Sequence, residues 1–146
     1  MAAIIGRFGP YSPNDPPEKY CPIVTVGPGK DQLGSSANLL TSSLTAMIDT
    51  GAQDCAIDPE IAERFKLPVK RQETIVGLGA TGSIAGKVYN AQIYFSETRS
   101  LHEIELYELP LRSRSWLFDI IIGWTLLNLF ELTLSRPRNL VRLEMM

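Results

Sequence analysis

Residues 44–52 read LTAMIDTGA, an apolar stretch that runs directly into a carboxylate, a hydroxyl and a glycine. The apolar run predicts a strand from Leu44 to Ile48 that ends at Asp49. Gly51 lets the backbone turn sharply and bring its N–H close to a carboxylate. Asp-Thr-Gly alone is also typical of an ordinary turn at the end of a strand, so the rest of the chain must decide between a catalytic and a structural interpretation.

The remainder of the chain is patterned mainly for β-structure. Strands are predicted at 21–26, near 55–57, in two arms within 71–95, at 103–109 and at 118–122, with a closing hairpin around 136–139. A helix is predicted after Asp58, because Asp58 can cap it and Pro59 suits its first position. Residues 30–43 are rich in Gly, Ser, Asn and Thr and predict a long surface loop. The sum is an all-β domain with one or two short helices.

Two further motifs accompany the Asp49 motif in a fixed order. Residues 77–82, GLGATG, lie between the two β-rich arms, and residues 119–123, DIIIG, precede Leu126 and Leu127. Together the three motifs resemble those of the retropepsin-like aspartic peptidases, the single-lobed relatives of pepsin that include retroviral proteases. The resemblance covers roughly residues 21–146. It implies a pepsin/retropepsin-like single lobe with a closed flap hairpin, assembled into a two-fold homodimer.

The resemblance also implies a role for each motif residue. Asp49 is implied to be the catalytic carboxylate, Thr50 to meet its twin across the dimer axis, and Gly51 to donate its backbone N–H to the carboxylate. Residues that would contact substrate are Ala52, Gln53 and Asp54 beside the carboxylate and Gly77, Leu78, Gly79 and Ala80 in the flap. Ile121, Ile122 and Gly123 are implied to pack under the Asp49 loop.

The chemistry of peptide hydrolysis explains why one copy of the motif is insufficient. A base must take a proton from water while an acid polarises the carbonyl, and two adjacent carboxyl groups that share one proton can do both, as is established for aspartic proteases. The chain has one Asp-Thr-Gly and is too short for two lobes. A two-fold dimer would supply the second Asp49. We therefore expect an aspartic endopeptidase that acts on an extended polypeptide, with water as nucleophile and no metal or organic cofactor.

Two positions depart from the retroviral pattern. Trp124 stands where retroviral members carry an arginine after the glycine, and Gln53 stands where they carry its partner aspartate. Both charged residues of that ion pair are replaced here, so neither charge is left without its partner. This favours a different but intact packing at that place, and Trp124 and Trp116 are interpreted as packing residues.

Two other functions are compatible with parts of the sequence. One is a catalytically silent dimerisation or peptide-binding module with the same fold, against which the intact Asp49 motif argues. The other is a nucleotide-binding loop, because Gly77, Gly79 and Gly82 spell G-x-G-x-x-G after a strand. That fingerprint requires a helix opening at the third glycine, and the residues after Gly82 are poor helix formers. A hairpin is therefore the preferred prediction.

The composition of the chain argues against several classes of partner and of catalytic chemistry. The chain has 146 residues, one domain's worth, and a net charge of −2 without clustered Lys or Arg, so no nucleic-acid partner is expected. No segment is long and apolar enough to cross a membrane, and we expect a soluble, cytoplasmic protein without a membrane partner. His102 is the only histidine, which disfavours Ser-His-Asp or Cys-His chemistry.

Residues 1–20 and the two cysteines complete the prediction. Four prolines within residues 10–17 predict an extended N-terminal arm over residues 1–20, followed by the peptidase domain at 21–146.

Cys21 and Cys55 fit neither a disulfide framework nor a metal pair, and they are predicted to be small buried apolar residues. Asp119 has no Thr-Gly after it and is not expected to be a second catalytic acid.

Overall fold

The computed structural model describes residues 2–26, 44–76 and 83–146. The strands in this part of the chain are β1 Ile4–Gly9, β2 Cys21–Val26, β3 Leu44–Ile48, β4 Cys55–Ile57, β5 Val69–Val76, β6 Ser83–Phe95, β7 Ser100–Glu108, β8 Ile120–Ile122, β9 Phe130–Ser135 and β10 Leu140–Met145. The helices are α1 Pro59–Arg64 and α2 Trp124–Leu127, with 3-10 turns at Pro17–Lys19 and Arg112–Arg114. The predicted mainly β architecture with short helices is confirmed.

The strands form a sheet in the order β5-β6-β7-β4-β8-β3-β2-β1-β10-β9. Most neighbours are antiparallel, but β3 pairs with β8 in parallel, with Met47 opposite Ile121 and Ile48 opposite Ile122. Because parallel strands end at the same edge of a sheet, residues 49 and 123 emerge side by side. This pairing brings the two motifs together although 74 residues separate them in sequence.

Strand β8 lies between two apolar clusters. Ile120 and Ile122 belong to the larger cluster, and Ile121 belongs to a smaller one with Met47, Ala56, Leu109, Leu111 and Phe118. All three isoleucines are at most 1% exposed. The strand predicted within residues 118–122 is therefore buried on both faces, as a continuous apolar run allows in a sheet that is covered on both sides.

Helix α1 begins where its capping signal predicts. The Asp58 carboxylate accepts a hydrogen bond from the Glu60 N–H at 3.0 Å, and Pro59 occupies the first position. Ile61 and Ala62 turn inward, so the helix buries one face. The second helix, α2, begins at Trp124, directly after Gly123.

The N-terminal segment is more integrated than the predicted arm. Residues 4–9 form β1, which pairs with β10 on one side and β2 on the other, and Ile4 is fully buried. The prolines that suggested an arm all follow this strand, where they leave its hydrogen bonds intact. A division of the chain at residue 20 stays a prediction.

Two predicted segments lie outside the described residues, namely the surface loop at 30–43 and the flap tip with Gly77, Leu78, Gly79 and Ala80. The arms that flank the flap tip pair antiparallel as far as Val76 opposite Ser83. A strand and not a helix follows Gly82, which contradicts the nucleotide-loop alternative. Among the described residues, no helix has the length and apolar character needed to cross a membrane.

Candidate active site

The Asp49 loop is held at the end of β3 by backbone hydrogen bonds. The Asp49 N–H donates to the Ile122 carbonyl at 3.0 Å, which continues the parallel ladder by one residue. The Ala52 N–H donates back to the Asp49 carbonyl at 3.2 Å and closes a tight turn. The carboxylate therefore projects from a backbone fixed by β3 and β8.

Gly51 contacts the carboxylate as the resemblance implies. Its N–H donates to Asp49 Oδ1 at 2.9 Å. A Cβ at this position would lie 3.2 Å from the same oxygen, and the glycine φ lies outside the left-handed region. The glycine therefore serves close approach to the carboxylate, and no left-handed backbone conformation demands it.

The loop is supported from below by the start of α2. The Trp124 N–H donates to the Ala52 carbonyl at 3.0 Å, and the Thr125 N–H donates to the Gln53 carbonyl at 2.9 Å. A Cβ on Gly123 would lie 2.4 Å from the Asp54 carbonyl oxygen and 2.7 Å from that of Ala52. Only glycine permits this contact, because the neighbouring atoms are backbone and cannot rotate away.

The structure brings together most of the residues that the motifs predicted to form the site. The loop and its support bring together Asp49, Thr50, Gly51, Ala52, Gln53, Asp54, Ile121, Ile122 and Gly123. Thr50, Gly51, Gln53 and Asp54 are exposed, while Asp49 and Ala52 are half-buried. The carboxylate is thus reachable from solvent on a surface of short and polar residues.

Trp124 has a contact that sequence reasoning missed. Its indole Nε1–H donates to the Thr50 carbonyl at 2.7 Å, and its ring packs against the larger apolar cluster. Sequence alone indicated packing only, because the partner carbonyl is 74 residues away. The indole thus ties the Asp49 loop to α2 at the position where retroviral members carry arginine.

Cys55 lies directly beneath the loop. It is fully buried, its Sγ accepts from the Gly123 N–H at 3.4 Å, and the same sulfur lies 3.4 Å from Thr125 Oγ1. Burial raises the pKa of the Cys55 thiol. The prediction of a small buried residue is confirmed for Cys55, whereas Cys21 is half-buried. Both cysteines are free.

Two buried aspartates in the described part of the chain, Asp58 and Asp119, are structural. Asp119 is 4% exposed and binds the Arg112 guanidinium through Oδ1 and the Thr45 N–H through Oδ2. Asp58 accepts the N–H groups of Leu111 and Arg112 at 2.9 Å each, in addition to capping α1. The expectation that Asp119 is no second catalytic acid agrees with these contacts, because both of its oxygens already have partners.

The His102 side chain on β7 contacts two aromatic rings. Its ring contacts Phe95 and Phe130 edge-on at centroid distances of 5.8 and 5.7 Å, and its Nε2 lies 3.0 Å from Ser100 Oγ. Burial lowers its pKa. Within the described ranges no carboxylate bonds the other ring nitrogen, so a Ser-His-carboxylate triad is not assembled there. Nor do the described residues group three or more metal-ligating side chains.

Comparison with known proteins agrees with this geometry. Residues 36–126, more than half of the chain, match the family described as aspartyl protease. A retropepsin-like aspartic protease from Rickettsia conorii is similar in structure, with a TM-score of 0.56 at 17% identity over 97% of this chain and 89% of its own. The retroviral protease-like domain of Ddi1 from Leishmania major gives 0.47 at 16% identity over 77% and 96%.

No curated protein matches the chain. The Rickettsia structure, at 17% identity, shows a shared fold and nothing finer. The family match includes the Asp49 loop, strands β5 and β6 and the glycine of the DIIIG motif. On these grounds the chain belongs to the aspartyl protease family and has the retropepsin-like fold.

Proposed function

We propose that the protein is an aspartic endopeptidase whose active site is formed by the Asp49 carboxylates of two identical chains. The observation that carries the proposal is the fixed Asp49 carboxylate, which receives the Gly51 N–H at 2.9 Å and stands on a loop braced by Gly123. A carboxylate held by backbone groups is already oriented for acid–base work.

The second carboxylate would come from a partner chain. Thr50 and Gly51 are exposed in the single chain although they follow a buried strand. A two-fold axis beside these small residues would bring the two Asp49 carboxyl groups together and cover the exposed loop. One group would then be ionised and take a proton from water, while the other would be protonated and polarise the scissile carbonyl.

An extended peptide would lie across the loop. Ala52, Gln53 and Asp54 offer backbone and polar groups along one side, and the residues joining β5 to β6 would close over the other. Backbone hydrogen bonds along such a strand would give affinity, and pockets for alternate side chains would give selectivity. Because water is the nucleophile, no covalent intermediate forms.

The direct test replaces the carboxylate. Asp49→Asn is nearly isosteric but cannot act as a base, so we expect peptide cleavage to fall by on the order of 10²- to 10⁴-fold. The matched control is Glu97→Gln, which neutralises an exposed carboxylate in the turn between β6 and β7 and should retain activity. Circular dichroism and sedimentation should show the same fold and assembly for both variants.

A second readout separates an enzyme from a silent peptide-binding module. A pepstatin-type inhibitor mimics the tetrahedral intermediate, so it should bind the wild type and lose affinity for Asp49→Asn. Peptide binding without cleavage, and equal inhibitor binding by both proteins, would support the silent module and overturn the proposed function.

A further inference from the structure

A cavity of about 520 Å³ opens between the loop that joins β1 to β2 and the turn that joins β9 to β10, and we call it the hairpin cavity. Its volume is within the range of ligand sites, which combine apolar walls with a few polar groups. All of the lining residues lie outside the Asp49 loop. They include Phe8, Glu18, Tyr20, Arg136, Pro137 and Asn139.

The hairpin cavity lies at the edge of the sheet from which the Asp49 loop emerges. Gly9 at the end of β1 pairs with Cys21 at the start of β2, and β2 in turn runs antiparallel to β3. The end of β1 and the end of β3 therefore reach the same edge. Phe8 lies two strands away from Asp49, roughly 10 Å across the sheet at the usual strand spacing. The cavity is thus close to the candidate active site but does not share its residues.

Two hydrogen bonds fix the walls of the cavity. The Phe8 N–H donates to Asn139 Oδ1 at 2.8 Å, and Arg136 Nη2 donates to the Tyr20 carbonyl at 2.7 Å. The guanidinium carbon of Arg136 also lies 5.0 Å from the centre of the Phe8 ring, within the range of a cation–π contact. Walls that are already fixed lose less conformational entropy when a ligand binds.

The side chains around the cavity offer more hydrogen-bond donors than acceptors. Asn139 Oδ1 already accepts the Phe8 N–H, so the amide has its Nδ2–H groups to offer a ligand. Arg136 keeps most of its N–H groups after binding Tyr20, and the Tyr20 hydroxyl can donate as well. Glu18 is the carboxylate of the lining. A fitting ligand therefore has several acceptors, few donors and a positive charge where it meets Glu18.

We infer that the hairpin cavity binds a proline-rich segment of another polypeptide. Proline has no N–H, so such a segment presents carbonyl acceptors without donors that would need partners. Its rings would pack on Phe8, Tyr20 and Pro137, in the way that aromatic-lined grooves receive polyproline helices. An arginine or lysine beside the prolines would meet the Glu18 carboxylate.

An added β-strand would fit this cavity less well. Strand addition needs an open strand edge, and β1 already has β2 and β10 as neighbours. The Phe8 N–H and the Tyr20 carbonyl are also bonded already. The inference goes beyond the proposed function, because this site does not use Asp49 and its test needs no catalysis.

The test measures peptide binding by fluorescence anisotropy on the full-length Asp49→Asn protein, so that cleavage does not interfere. The probe is a labelled peptide of prolines and leucines that ends in arginine, and the comparison peptide has alanine in place of every proline. Tyr20→Leu and Arg136→Ala change the cavity. Arg138→Ala, in the same turn, and Tyr94→Leu are matched controls that do not line it. Thermal unfolding checks that each variant is folded.

The proline peptide should bind more tightly than the alanine peptide. Tyr20→Leu and Arg136→Ala should weaken its binding by about two- to tenfold, the range of one hydrogen bond or one aromatic contact. The two control variants should bind it as the parent protein does. The inference is overturned if the proline peptide does not bind below about 1 mM, if the alanine peptide binds equally well, or if the controls lose as much affinity.

A charge reversal provides a second readout at an exposed position, which decides the matter if the cavity variants are unfolded. Glu18→Lys should reverse the preference for a proline peptide ending in arginine over one ending in glutamate. A preference for arginine that is unchanged in Glu18→Lys would place the peptide elsewhere on the protein and overturn the inference.

Discussion

At the scale of residues, the Asp49 loop is held by hydrogen bonds and close backbone contacts where retroviral members use a pair of charges. The Trp124 indole N–H reaches the Thr50 carbonyl, and Gly123 allows the loop to rest on α2. Each contact can be removed by one substitution, so each makes a separate prediction about stability and activity.

Trp124→Phe retains an aromatic ring but loses the hydrogen bond to Thr50. We expect the free energy of unfolding to fall by about 0.5–1.5 kcal/mol, near the lower end because the bond is exposed. Cleavage should weaken as well, since Thr50 directly follows Asp49, the proposed catalytic carboxylate. Urea unfolding and kcat/KM measure the two effects. Trp124→Leu, which also loses the ring, should lower the free energy of unfolding further. A Trp124→Phe protein with the stability and the kcat/KM of wild type would show that the indole does not hold the loop.

Gly123→Ala places a methyl group against two backbone carbonyls, at 2.4 and 2.7 Å. The loop or α2 must shift, and we expect a destabilisation of about 1–3 kcal/mol with loss of cleavage. Gly51→Ala is the matched control, because its Cβ would meet only a side-chain oxygen at 3.2 Å. It should change stability by about 0.5 kcal/mol or less, although the carboxylate is displaced. Thermal unfolding that ranks the two variants in the opposite order would contradict this account.

At the scale of elements, the local signals predicted most of what formed. Asp58 and Pro59 predicted the start of α1 because a helix cap is decided within a few residues. Strand β1 was not predicted, because its partner β10 lies at the other end of the chain and no local pattern marks that pairing. For the same reason, the spacing of residues in the sequence could not predict that the Tyr11 ring contacts the rings of Trp116 and Phe118.

Strands β5 and β7 are joined by an ion cluster. Glu105 on β7 binds Arg71 and Lys70 on β5, across the intervening strand β6. Hydrogen bonds from Arg71 and Lys70, with their charges, lower the pKa of Glu105 from 4.5 to about 2. A carboxylate with a lowered pKa stabilises the fold above its unfolded pKa, and this contribution is lost as pH falls through about 2.

Glu105→Gln tests the cluster. The Glu105 side chain is 33% exposed, so solvent screening limits the expected loss at pH 7 to below about 1 kcal/mol. The difference from wild type should shrink between pH 4.5 and about 2 as the wild-type carboxylate is protonated. Chemical denaturation across this pH range measures it, with Glu103→Gln on the exposed side of the same strand as control. A difference that stays constant with pH would exclude the ionised Glu105 as its source.

At the scale of the whole molecule, the proposed active site requires two chains. The sequence contains a single Asp-Thr-Gly motif, and the loop that bears it is exposed at Thr50 and Gly51. The motifs and the family resemblance predicted that Gly123 packs under the Asp49 loop, and the parallel pairing of β3 with β8 brings these residues together. The sequence pattern could not predict the surface that would contact a second chain, because that surface depends on which exposed residues of two folded chains meet.

The most direct test of the shared active site mixes wild-type and Asp49→Asn chains. The wild-type concentration is held constant while the variant is increased, after incubation long enough for subunits to exchange. If two Asp49 carboxylates form one site, the variant will capture wild-type chains in inactive mixed dimers, and at a tenfold excess the activity should fall to about a tenth by mass action. Activity that stays constant throughout the titration, with pull-down of an affinity-tagged Asp49→Asn chain showing that mixed dimers have formed, would contradict the account, because a single chain would then hold a complete site.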